Sequence, residues 1–347
     1  MRQSDVFNNV FLLSTEYQIM LALSVIEEFF SDGSFRNQLV LTGRRGGGLD
    51  VEKLPPFVTA TRMGFSDADF TDRVKQEIFN KPITNLFTAH AYRPFETFVL
   101  SNAKKGTQIH QLQDGALFYH RQEISLWKGR IKENFNIYYH LFKRGVILKD
   151  FIWFGRHMHR SGYIKKLWMT HPDLFIDKAC GKPIQKISLF PTANSVKIAN
   201  SCFVSDEDSD FTNLQNCVIY LAPIILDESL FAAEIEEISK IMKVLGKEQL
   251  RIKIHPGYSQ PQRKKMMEDA FGKVVIQNYV PAELYIANSV NSCVVSTAST
   301  ALFYEQTHCP RFALKNYYQR IGLYAKWKNV NLPKAVKLID EIEDFTK

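Results

Sequence analysis

Short apolar runs alternate with segments of helical periodicity along the first half of the chain. This alternation predicts an α/β fold, in which helices cover a sheet of buried strands. Ser14 and Thr15 follow the first apolar run and offer N-caps to a mostly apolar helix. A basic, aromatic helical region is predicted from Arg121 to about Trp168. The predicted strands of this half are Val10–Leu13, Gln38–Thr42, Ile83–Phe87 and Thr107–Gln113.

The alternation stops in an acidic, polar stretch at 201–216 and then starts again. We therefore predict an N-terminal domain over 1–200, a linker over 201–216 and a C-terminal domain over 217–347. Polar residues follow strand ends in both halves, so we expect two Rossmann-like domains that face a central cleft. The predicted elements after the linker are strands Cys217–Leu221, Leu250–Ile254, Val274–Gln277 and Ser292–Val295, and helices Ser229–Leu245, Ala282–Asn288 and one that starts near Ser299.

Composition narrows the class of protein. Of the 347 residues, 45% are hydrophobic and 23% are charged, which is typical of globular proteins. No run approaches the roughly 20 apolar residues needed to span a bilayer, and acidic residues interrupt the apolar stretch 10–30 where a signal peptide would be uniform. The five cysteines are scattered, which favours buried thiols over disulfides or a zinc site. We expect a cytoplasmic protein.

The net charge of +8 is concentrated in one segment. Residues 121–168 contain eleven Lys and Arg residues but three acidic ones, and the rest of the chain is balanced. The segment also contains Trp127, Trp153 and Trp168. Basic residues mixed with aromatic ones suit an anionic membrane surface, although a core of aromatic residues beneath a solvated basic helix face would give the same pattern. No nucleic-acid-binding module is recognisable, so we expect no nucleic-acid partner.

Three short polar elements stand at predicted strand ends, where an open α/β sheet binds its ligand. They are Asp114-Gly115, His255-Pro256 and Ser299-Thr300. Taken singly, these pairs are most often a turn, a loop and a helix cap. The order in which the three pairs occur along the chain is more informative than any single pair. Ser296-Thr297 competes with Ser299-Thr300 as a phosphate-binding pair, and the Ala-Leu that follows the later pair favours it.

The same elements resemble the motifs of bacterial sialyltransferases of the GT-B type, a group that includes lipooligosaccharide and capsule sialyltransferases and polysialyltransferases. The resemblance runs from about residue 8 to 315 in separate islands, which are Ser14-Thr15-Glu16-Tyr17-Gln18, Gln113-Asp114-Gly115, Lys253-Ile254-His255-Pro256, Val280-Pro281-Ala282-Glu283-Leu284 and Ser299-Thr300-Ala301-Leu302. The first island is similar to glycosyltransferase family 52. Gln113 is a departure, because the group often has an acid at this position.

The resemblance implies a role for each matching residue. Asp114 would be the general base and His255 would stabilise the departing phosphate. The remaining implied contacts are Ser299 and Thr300 to the phosphate, Glu283 to the ribose, Lys253 and Pro256 to the cytosine, and Thr15 and Gln18 on the acceptor side. No cofactor or metal is implied, and no metal-ligand spacing is present in the sequence.

The sequence therefore predicts an inverting transferase that moves sialic acid or a related nonulosonic acid from a CMP-sugar to a surface glycan, such as lipooligosaccharide or capsule. Two alternatives stay open: a CDP-glycerol or Kdo-type transferase, and a non-catalytic subunit that binds nucleotide sugars. Two further interactions are considered for the chain. One is the formation of a homodimer, and the other is contact of residues 121–168 with the inner membrane surface.

Overall fold

The computed structural model describes residues 7–42, 48–67, 69–90, 93–119, 126–148, 155–177, 180–204, 214–225, 227–255, 261–274, 280–297, 299–305, 308–323 and 331–347. These residues form two compact units that divide between Ile198 and Ala199. The helix Ala193–Phe203 crosses this division and ends inside the predicted linker. Residues 205–213 of that linker lie outside the described residues.

The first unit is built on seven strands. They are β1 Phe7–Leu13, β2 Phe35–Leu41, β3 Val58–Arg62, β4 Asn85–Thr88, β5 Gln108–Leu112, β6 Ile164–Met169 and β7 Ile184–Lys186. All are parallel and form one sheet in the order β3-β2-β1-β4-β5-β6-β7. The order reverses between β1 and β4, and the crevice outside the carboxyl ends of such strands is where a doubly wound sheet binds its ligand.

The helices of the first unit are α1 Glu16–Phe29, α2 Phe70–Arg73, α3 Pro94–Asn102, α4 Leu126–Phe142 and α5 Ala193–Phe203. The predicted cap of α1 is confirmed, because the Thr15 side chain accepts a hydrogen bond from the Gln18 backbone N–H at 3.3 Å. The last four residues of β1 are fully buried, as expected of a parallel strand that is covered on both faces.

The prediction of one helical region over 121–168 is wrong in its second half. After α4 the described chain continues in a short 3-10 helix, Gly155–Arg160, and then in strand β6. Trp168 lies in β6 and is buried, with its ring 5.1 Å from that of Phe29 and 5.4 Å from that of Phe87. It belongs to the core and cannot face a membrane. Trp153 lies outside the described residues.

The second unit has a sheet of five parallel strands. They are β8 Cys217–Leu221, β9 Gln249–Lys253, β10 Cys293–Ser296, β11 Arg311–Ala313 and β12 Val336–Leu338, in the order β12-β11-β10-β8-β9. The helices are α6 Phe231–Leu245, α7 Pro261–Phe271, α8 Ala282–Ala287 and α9 Lys315–Arg320. Strands were predicted at β8, β9 and β10 and are confirmed there. The predicted strand Val274–Gln277 falls largely outside the described residues.

Within the described part of the chain, none of the helices combines the length and the apolar character that crossing a bilayer would require.

Candidate active site

The polar residues of the first unit gather at the carboxyl edge of its sheet. Ser14 and Thr15 follow β1, His90 follows β4, and Asp114 follows β5. These three strands are neighbours in the sheet. Because parallel strands end at the same edge, residues that are far apart in sequence come within hydrogen-bonding distance there.

Asp114 and two side chains form the centre of this cluster. Gln18 Nε2 donates to Asp114 Oδ1 at 2.8 Å. His90 Nδ1 lies 3.1 Å from Asp114 Oδ2. Gln18 Nε2 also lies 3.0 Å from His90 Nε2. The two oxygens of the carboxylate therefore face different neighbours, one from the first turn of α1 and one from the loop after β4.

The contacts of Ser14 determine which atoms of this hydrogen-bond network donate and which accept. Its backbone N–H and its hydroxyl contact Gln18 Oε1 at 2.8 and 3.1 Å. A backbone N–H can only donate, so the amide oxygen of Gln18 faces Ser14 and its NH2 group faces Asp114 and His90. His90 Nε2 is then an acceptor and carries no proton. The proton of the neutral imidazole is on Nδ1, which lies 3.1 Å from Asp114 Oδ2.

The pKa values agree with this arrangement. Burial raises the pKa of Asp114 to about 6, against the opposing effects of the Gln18 hydrogen bond and the charge of Arg93. Burial, helped by the charge of Arg93, lowers the pKa of His90 to about 3. At pH 7 Asp114 is mostly ionised and His90 is neutral. A carboxylate with a pKa just below the working pH is suited to general-base chemistry.

Gly115 explains why the chain turns away directly after Asp114. Its φ of 64° lies in the left-handed region, where a residue without a Cβ is favoured. The short 3-10 helix Ala116–Tyr119 follows. The Asp-Gly pair is thus a turn and part of a polar site at the same time.

Gln113 has a different role from Asp114 beside it. Its Oε1 accepts from the Tyr119 hydroxyl at 2.6 Å and from the Thr170 backbone N–H at 2.8 Å, and its Nε2 donates to the Tyr17 hydroxyl at 2.9 Å. The side chain is fully buried. A carboxylate could not donate to Tyr17 while accepting the other bonds, so an amide suits this position.

Arg93 and Glu96 are two charged residues that the sequence interpretation missed. Arg93 is the half-buried N-cap residue of α3, and Glu96 is buried in the first turn of the same helix. Thr42 Oγ1 donates to Glu96 Oε1 at 2.9 Å. Burial raises the pKa of Glu96, and the charge of Arg93 opposes that effect.

His90 was also missed, although a signal for it existed. It is a polar residue three positions after the predicted strand Ile83–Phe87, just as Asp114 is a polar residue directly after the predicted strand Thr107–Gln113. The structure brings Gln18, His90 and Asp114 into contact. Thr15 takes part indirectly, through its cap on the backbone of Gln18.

The second unit places Lys253 and His255 at the end of β9 and Glu283 on α8. Lys253 is the last residue of β9, with its Nζ 5.9 Å from the centre of the Tyr285 ring on α8. His255 is exposed two residues later, and Pro256 lies outside the described residues. Glu283 is buried in the first turn of α8.

Ser299 caps a single 3-10 turn, Thr300–Phe303, and its hydroxyl accepts from the Ala301 backbone N–H at 3.3 Å. The helix predicted here is therefore too short to contribute a substantial dipole. Ser296 is buried and donates to the Leu221 carbonyl at 3.3 Å, and Thr297 is buried too. Ser299 and Thr300 are half-buried, which favours them over the earlier pair for a ligand.

Among the described residues, no group of three or more His, Cys, Asp and Glu side chains is arranged to hold a metal ion.

Two Rossmann-like units, with a half-buried carboxylate at a sheet edge of the first, have the architecture of the GT-B fold class. The sequence matches the family model of the Alpha-2,8-polysialyltransferase (POLYST) over residues 65–311, and the chain belongs to this family. No curated protein matches the chain in sequence.

Solved structures resemble it in fold. One is the GT-B domain of a sialyltransferase from Photobacterium damselae, with a TM-score of 0.51 and 11% identity over 86% of this chain and 88% of that one. Another is the UDP-GlcNAc 2-epimerase from Neisseria meningitidis, with a TM-score of 0.52 and 10% identity over 97% and 89% of the two chains. Because transferases and epimerases share this fold, the fold alone does not select the reaction, and the family match does.

Proposed function

We propose that the chain is an inverting, metal-independent transferase that moves sialic acid or a related nonulosonic acid from a CMP-sugar to a glycan acceptor of lipooligosaccharide or capsule. The family match supports sialyl transfer. The observation that carries the mechanism is the carboxylate of Asp114, which accepts a hydrogen bond from Gln18 and lies beside His90 at the edge of the sheet.

In the proposed reaction, an acceptor hydroxyl oxygen attacks the anomeric carbon of the donor sugar. The new C–O bond forms while the bond to the CMP phosphate breaks, and CMP leaves with the bonding electrons. Asp114 accepts the hydroxyl proton. A single displacement of this kind inverts the anomeric configuration.

Gln18 and His90 are positioning residues in this mechanism. Gln18 donates a hydrogen bond to Oδ1 of Asp114 and His90 Nδ1 lies beside Oδ2, while the carboxylate keeps lone pairs for the acceptor hydroxyl. The Asp114 side chain is 28% exposed, so a substrate hydroxyl can approach it. Because His90 is neutral, it holds the carboxylate without forming a full ion pair that would weaken the base.

The residues proposed to bind CMP belong to the second unit. His255 would stabilise the charge on the departing phosphate, with the hydroxyls of Ser299 and Thr300 as further donors. Glu283 would accept from the ribose, and Lys253 and Pro256 would border the cytosine. Because only a four-residue 3-10 turn follows Ser299, phosphate binding there would depend on side-chain hydroxyls and nearby N–H groups and not on a helix dipole.

CMP release from a panel of donors tests the proposal. CMP-sialic, CMP-legionaminic and CMP-pseudaminic acids should be compared with CMP-Kdo and CDP-glycerol, each with oligosialic acid and with a neutral glycan as acceptor. We expect turnover with a CMP-nonulosonate, unchanged by EDTA, and a product of inverted anomeric configuration by NMR. Turnover of CDP-glycerol alone would refute the donor assignment. Nucleotide binding without any turnover would support a non-catalytic subunit.

A further inference from the structure

Helix α4 has two faces of opposite character. The buried face carries residues spaced three and four apart, namely Asn134, Ile137 and Leu141. The exposed side of the helix carries three aromatic residues with the same kind of spacing, namely Phe135, Tyr139 and Phe142. Their exposed fractions are 73%, 45% and 72%. An apolar stripe of this size on a water-facing helix commonly marks an interaction surface.

Neighbouring groups extend this stripe. The rings of Phe135 and Tyr139 lie 6.4 Å apart and nearly parallel, at 11°. Lys143 places its Nζ 4.7 Å from the centre of the Tyr139 ring. We call Phe135, Tyr139, Phe142 and Lys143 the aromatic face.

The sequence segment that carries the aromatic face is strongly basic. The face lies within 121–168, the segment that carries the whole net charge of the chain. Some of these cations have local partners, since Arg160 pairs with Asp177 and Arg144 donates to the Asp67 carbonyl. Lys143 and Lys165 are exposed. Exposed rings with a lysine beside them, as Lys143 lies beside Tyr139, match the headgroup region of a membrane, where aromatic residues and cations are both stabilised.

We propose that the aromatic face docks on a membrane surface that contains anionic lipids. A second copy of the chain fits the face less well, because two strongly basic segments would repel each other. The exposed side of a single helix is also convex, which suits a broad, soft surface. This inference concerns where the enzyme works and does not depend on the proposed reaction.

Flotation with lipid vesicles tests the proposal on the full chain. Phosphatidylcholine vesicles with and without phosphatidylglycerol should be compared at low and high salt. We expect binding to the anionic vesicles alone, and weaker binding as salt screens the charges. Lys143→Gln should weaken binding about fivefold, since a basic residue near an anionic surface contributes about 1 kcal/mol.

The aromatic contribution needs its own variants. The double variant Phe135→Ser, Phe142→Ser should weaken binding about tenfold or more, because large apolar side chains no longer enter the interface. Phe135→Leu with Phe142→Leu should restore most of it. The matched controls are Lys104→Gln with Lys105→Gln for charge and Ile321→Ser for an exposed apolar residue, and both should bind as the wild type does. Circular dichroism should show unchanged folding for every variant.

Three results would overturn the proposal. Equal binding to neutral and anionic vesicles would show that electrostatic attraction does not contribute to membrane binding. Wild-type binding by the Phe→Ser variant, with a loss only in Lys143→Gln, would leave a basic surface that attracts any polyanion. A dimer in sedimentation that Phe135→Ser disrupts would assign the face to a second copy. None of these results would bear on CMP release, so this proposal and the proposed reaction can fail separately.

Discussion

Opposing effects determine the pKa of the Asp114 carboxylate. Burial favours its neutral form, while the Gln18 hydrogen bond and the charge of Arg93 favour its ionised form. The resulting pKa of about 6 lets the group be mostly ionised at pH 7 and still accept a proton in the transition state. A carboxylate at its ordinary pKa would be a weaker base by about two orders of magnitude.

Replacing Asp114 with Ala should therefore lower the turnover number by about 10²–10⁴-fold, the usual contribution of a general base. CMP affinity by calorimetry should stay close to that of the wild type, because the residues proposed to bind CMP lie in the second unit. Asp72→Ala, at an exposed carboxylate of the same unit, is the control and should be fully active. Near-normal turnover in Asp114→Ala would place the base elsewhere.

The pH profile of kcat/KM should show an acidic limb near pH 6, with activity rising as Asp114 loses its proton. His90, with a pKa of about 3, stays neutral across this range and adds no second limb. Arg93→Gln removes a charge that stabilises the carboxylate, so the limb should move to higher pH. Lys104→Gln removes a charge elsewhere and should leave it in place. A limb that moves to lower pH in Arg93→Gln would contradict the assignment.

His90 should be a positioning residue and not a proton carrier. His90→Phe keeps an aromatic ring but removes the polar Nδ1–H beside Oδ2, so we expect turnover to fall about tenfold and the acidic limb to move upward as the ionised carboxylate loses a polar neighbour. His90→Asn offers an amide donor and should recover part of both effects. If both variants lost the same activity with an unmoved limb, the role of His90 would be structural alone.

At the scale of elements, strands and helices with a strong apolar period were predictable, and short or interrupted ones were not. The extents of α1, β5 and β8 follow from their sequences within a few residues. Strand β6 was missed because Lys165 and Lys166 break its apolar run. It is a strand because β5 and β7 supply hydrogen-bonding partners on both sides, which a local pattern cannot reveal.

Helices α6 and α7 are joined by a buried ion pair. Arg263 Nε donates to Glu234 Oε2 at 2.7 Å, and the Tyr220 hydroxyl of β8 donates to Glu234 Oε1 at 2.8 Å. Arg263 also donates to the Pro223 carbonyl at 2.8 Å. Both oxygens of the Glu234 carboxylate therefore accept hydrogen bonds, although the side chain is fully buried.

Arg263→Leu should destabilise the protein by about 3–5 kcal/mol, because it leaves the buried carboxylate of Glu234 without its cation. Urea unfolding measures the change. The double variant Arg263→Leu, Glu234→Leu should lose much less, since it removes both charges together. A cost below about 1 kcal/mol for the single variant would contradict a desolvated pair at this position.

At the scale of the whole molecule, the two units divide the proposed work. The first holds Asp114, the proposed base, and the second holds the residues proposed to bind CMP. A ligand that binds only the folded state stabilises it, by about 2.7 kcal/mol at 100 times its Kd.

CMP should therefore raise the Tm of the wild type and of Asp114→Ala alike, as measured by calorimetry. The double variant Glu283→Ala, Ser299→Ala should lose most of this shift. Asn316→Ala with Glu343→Ala, at other polar positions of the second unit, should keep it. An undiminished shift in the Glu283, Ser299 variant would refute the proposed CMP site.

The sequence by itself determined the α/β class, the order of most elements and the polar motifs at the strand ends, because apolar periodicity and N-caps act over a few residues. Tertiary structure decided which polar groups meet. His90 contacts Asp114 only because β4 and β5 are adjacent in the sheet, and Gln18 reaches both across the end of β1. The pKa of Asp114 depends on the burial that this convergence creates. Trp168 shows the same limit, since its neighbours in sequence are basic while its neighbours in space form the aromatic core.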